Sequence, residues 1–258
     1  MSWLGAIKSE LYIGALKLLG FLFLITYIPF MFIVPWFNGG WDYVHGVWHS
    51  WQSLNVGVLA FLASVIALYV SRYQSIEQRK REFEGAKAFL PYALSELCKY
   101  LTSSAMVLVS VFPQRSGRRD IKLDLECPLL PIEQFEVFKD CIKFAEVDVA
   151  KYLAKILNLL QVHHSRLEAI CEANHLNEPY GRSCIYNVAE TQALINNLYD
   201  FARSDAEFKN KELDWEDIRV SYRNLGVIFE NINKLEEYSQ KRLENIHITN
   251  ASRGTVNA

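Results

Sequence analysis

The sequence lacks the short motifs that characterise the common nucleotide-binding and hydrolytic enzymes. It has no GxxxxGKS or GxxxxGKT phosphate loop, no GxGxxG fingerprint, no GxSxG elbow and no HExxH zinc motif. Its acidic pairs, such as Glu236 and Glu237, fall on what should be exposed helix surface. The sequence therefore favours a protein without catalytic activity, and it indicates no cofactor.

Neither cysteine pairs nor an excess of basic residues is present. The five cysteines, at positions 98, 127, 141, 171 and 184, are an odd number and form no CxxC pair. This pattern indicates a reducing compartment and argues against a disulfide framework. The formal net charge of −2 gives no general argument for binding nucleic acid, which is therefore not expected as a partner.

Charged residues are scarce in the first 72 residues, which hold only three of the lysines and arginines. Two apolar runs fill this segment, and about twenty apolar residues in a helix cross the hydrocarbon layer of a bilayer. The sequence thus predicts a transmembrane hairpin at 1–72, with helices at about 11–36 and 51–71. Pro29 should kink the first helix, because proline removes one ladder hydrogen bond. Two buried helices of a soluble protein are the alternative interpretation.

Aromatic and basic residues mark opposite ends of the two predicted helices. The connection at 38–50 has no lysine or arginine and is rich in tryptophan and tyrosine, which favour the headgroup layer. Lysine and arginine favour the cytoplasmic side, so we expect both termini in the cytoplasm and the connection outside. The residues expected at the membrane interface are Trp36, Trp41, Trp48, Trp51, Arg72, Arg79, Lys80 and Arg81.

Small residues follow one face of the second predicted helix at spacings of three and four. Small side chains let helix backbones approach closely in lipid. The face could pack on the first helix of the same chain, or it could pair two chains in a homo-oligomer. The expected helix-packing residues are Gly57, Ala60, Ser64, Ala67 and Ser71.

The basic run at 72–87 also has two interpretations. It can be a topology determinant on a solvated helix face, or a site for anionic lipid. The interleaved Glu77, Glu82 and Glu84 weaken the lipid interpretation.

Helical patterns continue through residues 73–247, and almost no strand pattern occurs. The fold class predicted is therefore all-α, with the two-helix transmembrane hairpin continuous with a cytoplasmic helical bundle. Pro91 should break the helix that leaves the membrane. Further helices are expected at about 92–112, 132–144, 146–173 and 183–203, and a last one from Asp214 to about 247, followed by a disordered tail at 248–258.

A group of possible metal ligands lies on and after the helix predicted at 146–173, namely His163, His164, Cys171 and His175. A zinc site needs four converging ligands, and His164 and Cys171 are two helical turns apart. We therefore expect His164 to be a packed core residue on the apolar stripe of this helix, and we expect no metal.

Arg242 and His247 have the Arg-x4-His spacing seen in a superfamily of helical-bundle ribonucleases. In such enzymes the two side chains act on the phosphodiester. With this arginine and histidine content, about one such match is also expected by chance when the spacing may vary by a residue or two. The two residues are the weak catalytic candidates of this sequence.

Residues 51–57, the basic helix after them, and the run from Leu90 to Tyr100 resemble a group of bacterial inner-membrane proteins without assigned function. The resemblance implies a two-pass inner-membrane hairpin carrying a cytoplasmic helical domain, and it implies no activity. The layout is also similar to that of small two-pass effectors of bacterial phage-defence systems, without a shared residue motif.

Three functional hypotheses follow. The first is a membrane-anchored interaction or sensing module without catalytic activity, whose partners are the lipid bilayer and an unidentified cytoplasmic protein. The second is a membrane-perturbing effector that acts by self-association. The third is a membrane-tethered ribonuclease.

Overall fold

The computed structural model describes residues 18, 20–23, 25–112, 126–173 and 177–256. These residues form helices and turns, and no strand occurs among them, which confirms the predicted all-α fold class. The chain divides into two compact units, Met1–Ser75 and Ile76–Ala258. The division lies close to the boundary expected at residue 72.

The first unit contains helix α1, Gly20–Ser50, and the start of helix α2, Gln52–Lys87. Both helices are long and apolar enough to cross a membrane. Helix α1 is broken at Gly39 and Gly40, where Gly40 has φ +64°, a left-handed conformation that glycine adopts without steric cost. The chain turns back on itself at these two glycines.

The segment after this turn differs from the predicted connection at 38–50. Residues 41–50 are helical, so the reversal needs only the two glycines and not a loop of thirteen residues. Val44 and Trp48, four residues apart, share one face: Val44 is buried, and the Trp48 ring lies 5.1 Å from that of Phe32. At least one aromatic residue of the predicted interfacial loop, Trp48, therefore packs between helices.

The first helix has a change of helical geometry at Pro29, where the sequence predicted a kink. A π-helical turn, Pro29–Ile33, begins at this residue. Because proline has no backbone N–H, the ladder loses a bond there, and a wider turn accommodates the loss. Met31 within this turn is buried in the unit.

Helix α2 continues for 36 residues without an internal break. The charged run from Arg72 onward is part of the same helix, as the sequence predicted. Every side chain from position 59 to position 75 is exposed. From position 83 onward, Phe83 and Ala86 pack against the core of the second unit.

The second unit is a bundle of helices around one core. After the end of α2, the elements are α3 (Leu90–Val111), α4 (Ile132–Phe144), α5 (Val147–Ala173), α6 (Glu178–Asn196), α7 (Tyr199–Ala202), α8 (Trp215–Asn224) and α9 (Leu235–Val256). Pro91 occupies the first turn of α3, where its missing N–H costs nothing, and a two-residue turn separates α2 from α3.

Helix α6 lies at the centre of the bundle, in contact with α3, α5, α8 and α9. Most of its side chains are buried, including Ile185, Tyr186 and Ile195. It begins earlier than the helix expected at 183–203, because the side chain of Asn177 accepts a hydrogen bond of 2.9 Å from the amide of Tyr180 and caps the first turn.

The predicted last helix is two helices. Asp214 and Asp217 form the expected capping box at the start of α8, but α8 ends at Asn224 and Gly226 follows with φ +68°. Helix α9 then runs from Leu235 to Val256, into the tail that was expected to be disordered. No proline lies in α9, so no residue there removes a backbone donor from the helix.

Candidate functional site

A buried asparagine joins the two helices of the first unit. Asn55 is 4% exposed, and its side-chain oxygen accepts a hydrogen bond of 2.6 Å from the hydroxyl of Tyr27. Its amide nitrogen donates to the carbonyl oxygen of Trp48 at 3.3 Å. Both polar ends of the amide are thus satisfied inside an apolar helix pair, which fixes how α1 and α2 align. The sequence interpretation missed this role, although Asn55 is conspicuous in a charge-free run.

The tryptophans expected at the membrane interface fall into two groups. Trp36, Trp41 and Trp51 are exposed, and the rings of Trp36 and Trp41 meet edge to face at 5.8 Å. Trp48 packs instead against Phe32. Exposed indole rings near a helix reversal suit a headgroup layer, whereas Trp48 holds the hairpin together.

The small-residue face of α2 has no intrachain cover among the described residues. All five positions, Gly57, Ala60, Ser64, Ala67 and Ser71, are exposed. A methyl group added to Gly57 would meet no atom within 4 Å, and the Ser64 hydroxyl donates to the carbonyl of Ala60 in its own helix. The described part of α1 therefore does not pack on this face.

The basic residues of α2 have different surroundings. Arg79 donates hydrogen bonds of 2.9 and 2.7 Å to the carbonyl oxygens of Phe144 and Ala145, at the end of α4. Lys80 is largely exposed and lies 3.8 Å from Glu77, which is half-buried. Arg79 is therefore bonded to the bundle at its surface, which leaves fewer cations for anionic lipid than the sequence suggested.

Lys87 is a second basic residue of α2 that serves packing. It is buried, and its ammonium lies 4.2 Å from the centroid of the Phe201 ring. The ring of Phe83, one turn earlier, also faces Phe201. Arg79, Phe83 and Lys87 are spaced by four residues, so one face of α2 carries all three contacts.

The structure reverses the roles expected for the two neighbouring histidines of α5. His163 is buried, and burial lowers its pKa to about 4. His164 is half-buried, with its Nδ1 3.0 Å from the hydroxyl of Tyr100 and its Nε2 3.4 Å from Glu168. The buried residues of α5 include Ile156, His163 and Ile170, so the buried face passes through His163 and not, as expected, through His164.

Within the described ranges, no group of three or more His, Cys, Asp or Glu side chains is close enough to hold a metal ion. His175, the last of the proposed ligands, lies outside the described residues. Cys171 lies near Cys127, whose pKa burial raises to about 12. A thiol with a raised pKa is a poor metal ligand and a poor nucleophile.

The Arg242 side chain is half-buried, and its guanidinium contacts neutral side chains. Its Nη2 donates to Asn187 Oδ1 at 3.0 Å, and its Nη1 donates to the hydroxyl of Tyr238 at 3.0 Å. The guanidinium carbon lies 5.1 Å from the centroid of the Tyr186 ring. These contacts attach α9 to the central helix α6.

His247, the second ribonuclease candidate, contacts a different segment. Its Nε2 lies 2.9 Å from the carbonyl oxygen of Leu213, and its Nδ1 lies 3.7 Å from the Glu212 carboxylate. Five positions along a helix differ by about 140° in direction, so Arg242 and His247 leave α9 on different sides. The structure does not bring them to a shared site.

No protein-family model matches the chain, no curated protein matches it in sequence, and no solved structure matches it in fold. Its function is therefore inferred from its own residues and contacts.

Proposed function

We propose that the protein is a two-pass, membrane-anchored helical module that binds a partner protein and has no catalytic activity. The observation that carries the proposal is the exposure of two long apolar helices. Only 12% and 6% of their most apolar windows are buried inside the chain. A core helix of a soluble protein of this hydropathy would be mostly buried.

The apolar surface in question is large and continuous along α2. Leu59, Phe61 and Leu68 are each more than half exposed, and no charged residue interrupts them. Monomeric soluble proteins rarely expose apolar patches larger than a few hundred Å². A bilayer is the solvent that such a surface fits, because its hydrocarbon does not penalise exposed apolar side chains.

The orientation proposed places both termini and the second unit in the cytoplasm of a bacterium, with the hairpin in the inner membrane. The distribution of lysine and arginine supports it: none lies at 38–50, whereas Arg72, Lys80 and Arg81 follow the apolar part of α2.

The experiment that tests this proposal is labelling of single cysteines in intact cells, on a background without the five native cysteines. A membrane-impermeant maleimide should label Gly46→Cys from outside, whereas Lys151→Cys should react only after the cells are opened. Lys151 is exposed on α5, so its lack of reaction could not come from burial. Labelling of Lys151→Cys alone would reverse the orientation. Recovery of the chain in the soluble fraction would refute the anchor.

A membrane-perturbing effector that self-associates is the second candidate. One observation favours it: the small-residue face of α2 is uncovered where the described part of α1 could have packed on it, at Gly57 and Ala60. Close helix contact through such a face is a common way for helices to pair in lipid. Self-association of this kind is compatible with the plain anchor and becomes an effector mechanism only if it damages the bilayer.

A further inference from the structure

The guanidinium of Arg242 is held in place by uncharged acceptors and by no carboxylate. Its Nη1 donates to the hydroxyl oxygens of Tyr238 at 3.0 Å and Ser183 at 3.4 Å, and its Nη2 donates to Asn187 Oδ1 at 3.0 Å. Arginine in proteins commonly pairs with a carboxylate or a phosphate, whose oxygens fit its N–H groups. Within the described ranges Arg242 has no anionic partner, so its positive charge is uncompensated.

The three side chains around this guanidinium keep their own hydrogen-bond donors for another group. Each accepts from Arg242 through an oxygen, which leaves the O–H of Ser183, the O–H of Tyr238 and the amide N–H groups of Asn187. No acceptor for these hydrogens lies among the residues that the structure describes. All three side chains are half-buried and still reach solvent. A ligand at this place would therefore meet one cation and several donors.

Two more donors lie directly beneath the same place, and both are buried without a partner. They are the Nε–H of Arg242 and the hydroxyl of Tyr186, whose ring centroid is 5.1 Å from the guanidinium carbon. Tyr186 is fully buried. Because buried polar groups in native proteins are normally paired, this excess of donors over acceptors is unusual. It adds to the attraction for an anion at the surface above.

Arg166 of α5 supplies a second positive charge near this place. It is half-buried, and no carboxylate pairs with it in the described part of the chain. Burial raises the pKa of the Cys184 thiol, and the charges of Arg166 and Arg242 both oppose this rise. Both guanidinium groups therefore lie near one buried residue of the central helix α6.

The carboxylates of the neighbouring segments do not compensate these two cations. Each of three pairs with another basic residue: Glu178 with Arg182 at 3.1 Å, Glu190 with Lys155 at 3.9 Å, and Glu237 with Lys241 at 2.7 Å. Glu168 and Glu244 each follow one of the two arginines by two positions, which turns them about 200° around the helix. Two positive charges are therefore left over at this surface.

We propose that Arg242, Ser183, Asn187 and Tyr238 bind a phosphate monoester, with Arg166 contributing a second positive charge. Such a group carries about −1.5 to −2 charges at pH 7 and has three acceptor oxygens. It thus matches two uncompensated cations and several free donors, whereas a carboxylate would neutralise only one cation. A small phosphorylated molecule in solution and the headgroup of phosphatidic acid both offer this chemistry. The site goes beyond the proposed membrane anchor and does not depend on it.

Thermal unfolding of the full chain in detergent micelles tests the proposal. Glycerol phosphate is titrated as the probe, and sodium chloride of equal ionic strength is the blank. The parent should show a saturable rise in Tm with glycerol phosphate beyond that with chloride, because a ligand that binds only the folded chain stabilises it. The dose dependence gives the affinity. A parent that responds equally to the two salts overturns the proposal.

Asn187→Asp is the decisive variant, because it separates the ligand from the fold. Aspartate keeps the oxygen that accepts from Arg242, so the attachment of α9 to α6 is retained. It also places a carboxylate beside the guanidinium and removes the amide donors. The affinity for glycerol phosphate should fall at least about tenfold, because a charge-assisted bond is lost and a like charge is added. A variant that binds as tightly as the parent overturns the proposal.

Two arginine variants separate the charge of this site from that of the rest of the bundle. Arg166→Gln should weaken binding by a smaller factor, because Arg166 acts through its charge. Arg219→Gln is the matched control: Arg219 is exposed and pairs with Glu216 at 2.7 Å, so its loss should leave the affinity unchanged. Equal losses in the two variants would show that only general charge attracts the probe and would overturn the site.

Nanodiscs with and without phosphatidic acid distinguish the two sources of the phosphate. Stabilisation by this lipid that Asn187→Asp abolishes assigns the site to a headgroup. If only soluble glycerol phosphate stabilises the parent, the ligand is a small molecule. A short single-stranded RNA that binds the parent more tightly than glycerol phosphate overturns the monoester and indicates a nucleic acid instead. The cysteine labelling tests the anchor separately, so failure of one proposal does not imply failure of the other.

Discussion

Arg79 donates a hydrogen bond of 2.7 Å to the backbone carbonyl oxygen of Ala145, 66 positions further along the chain. A second bond of 2.9 Å goes to the carbonyl of Phe144. These carbonyls lie at the C-terminal end of α4, where intrahelical partners are missing and the helix dipole favours a cation. The end of α2 is therefore held to the bundle by a side chain that the sequence suggested for the membrane interface.

Replacing Arg79 should loosen this attachment. Arg79→Ala removes two charge-assisted hydrogen bonds that are partly exposed, so we expect a loss of roughly 1–2 kcal/mol in the free energy of unfolding of the bundle. Thermal unfolding followed by circular dichroism measures it. Arg81→Ala, two positions away on the exposed side of α2, is the control and should change stability by less than about 0.5 kcal/mol. Equal effects of the two variants would show that the contact with α4 contributes nothing.

The hydrogen bond between Tyr27 and Asn55 predicts a coupled effect in the hairpin. Asn55→Leu makes α2 more apolar and should not impair insertion, but it should weaken pairing of α1 and α2 by roughly 0.6–2 kcal/mol. Tyr27→Phe removes only the hydroxyl that Asn55 accepts from. Because the two side chains share one hydrogen bond, the free energy of unfolding in detergent should fall less in the double variant than the sum of the two single decreases. Strict additivity would refute it.

The long periodic patterns could be predicted from the sequence, and the places where single residues decide the course of the chain could not. The apolar helices and the capping box of Asp214 follow from composition and spacing. The reversal at Gly39 and Gly40 was missed because the aromatic residues after it are compatible with both a loop and a helix. Gly226 was missed because a single glycine inside a helical pattern is often tolerated.

Side-chain roles were harder to predict than elements, because they depend on which distant segment a residue meets. Arg79 has the same local sequence context as Lys80, yet only Arg79 reaches the end of α4. His163 and His164 differ by one helical step of about 100°, so a small error in the phase of the stripe exchanged the buried and half-buried histidine.

Burial of His163 predicts a loss of stability in acid. Its pKa is about 4 in the folded chain against 6.5 for the free side chain, so the unfolded chain binds the proton more readily. Above pH 6.5 the titration of His163 does not affect the free energy of unfolding. Below pH 6.5 this free energy falls as the pH decreases, until the pH is below about 4 and the folded chain also binds the proton. At 1.36 kcal/mol per pKa unit, the total loss is about 3 kcal/mol.

The variant His163→Leu should flatten this dependence, because leucine has no proton to bind. Thermal unfolding at pH 7, 5.5 and 4.5 measures the difference from the parent. His164→Gln is the matched neighbour: it should lower stability at all three pH values through loss of the Tyr100 contact. It should keep most of the acid slope, because burial is the largest cause of the lowered pKa of His163 and the charge of His164 is a smaller one. A parent and a His163→Leu variant with equal slopes would contradict the assignment.

Arg242 should matter for stability and not for RNA cleavage. Arg242→Ala removes the bonds to Asn187 and Tyr238 and uncovers the Tyr186 ring, so we expect a loss of roughly 1–3 kcal/mol. His247→Ala should cost less, because its side chain is 41% exposed. The purified full chain in detergent should leave single-stranded RNA intact. Cleavage that disappears in both variants, while folding is retained, would establish the ribonuclease hypothesis instead.

The small-residue face of α2 predicts what a bulky side chain does at position 64. Leucine adds hydrophobicity, so Ser64→Leu should insert normally whatever the face contacts. If the face pairs two chains in the membrane, Ser64→Leu should split the pair. If it packs on residues of the same chain beyond those described, the variant should instead destabilise the monomer and lower its yield. Ile66→Phe adds bulk about 200° around the helix and is the control that should do neither.

The membrane potential separates the plain anchor from the effector. Lys17 is the only charged side chain within the spans predicted at 11–36 and 51–71, so the helices offer little to line an aqueous pore. We therefore expect overexpression of the wild-type chain to leave the potential unchanged, measured with a voltage-sensitive dye, with the same result for Ser64→Leu. Depolarisation by the wild type that Ser64→Leu abolishes and Ile66→Phe retains would make the effector the leading interpretation, because only contact through the small-residue face distinguishes the two variants.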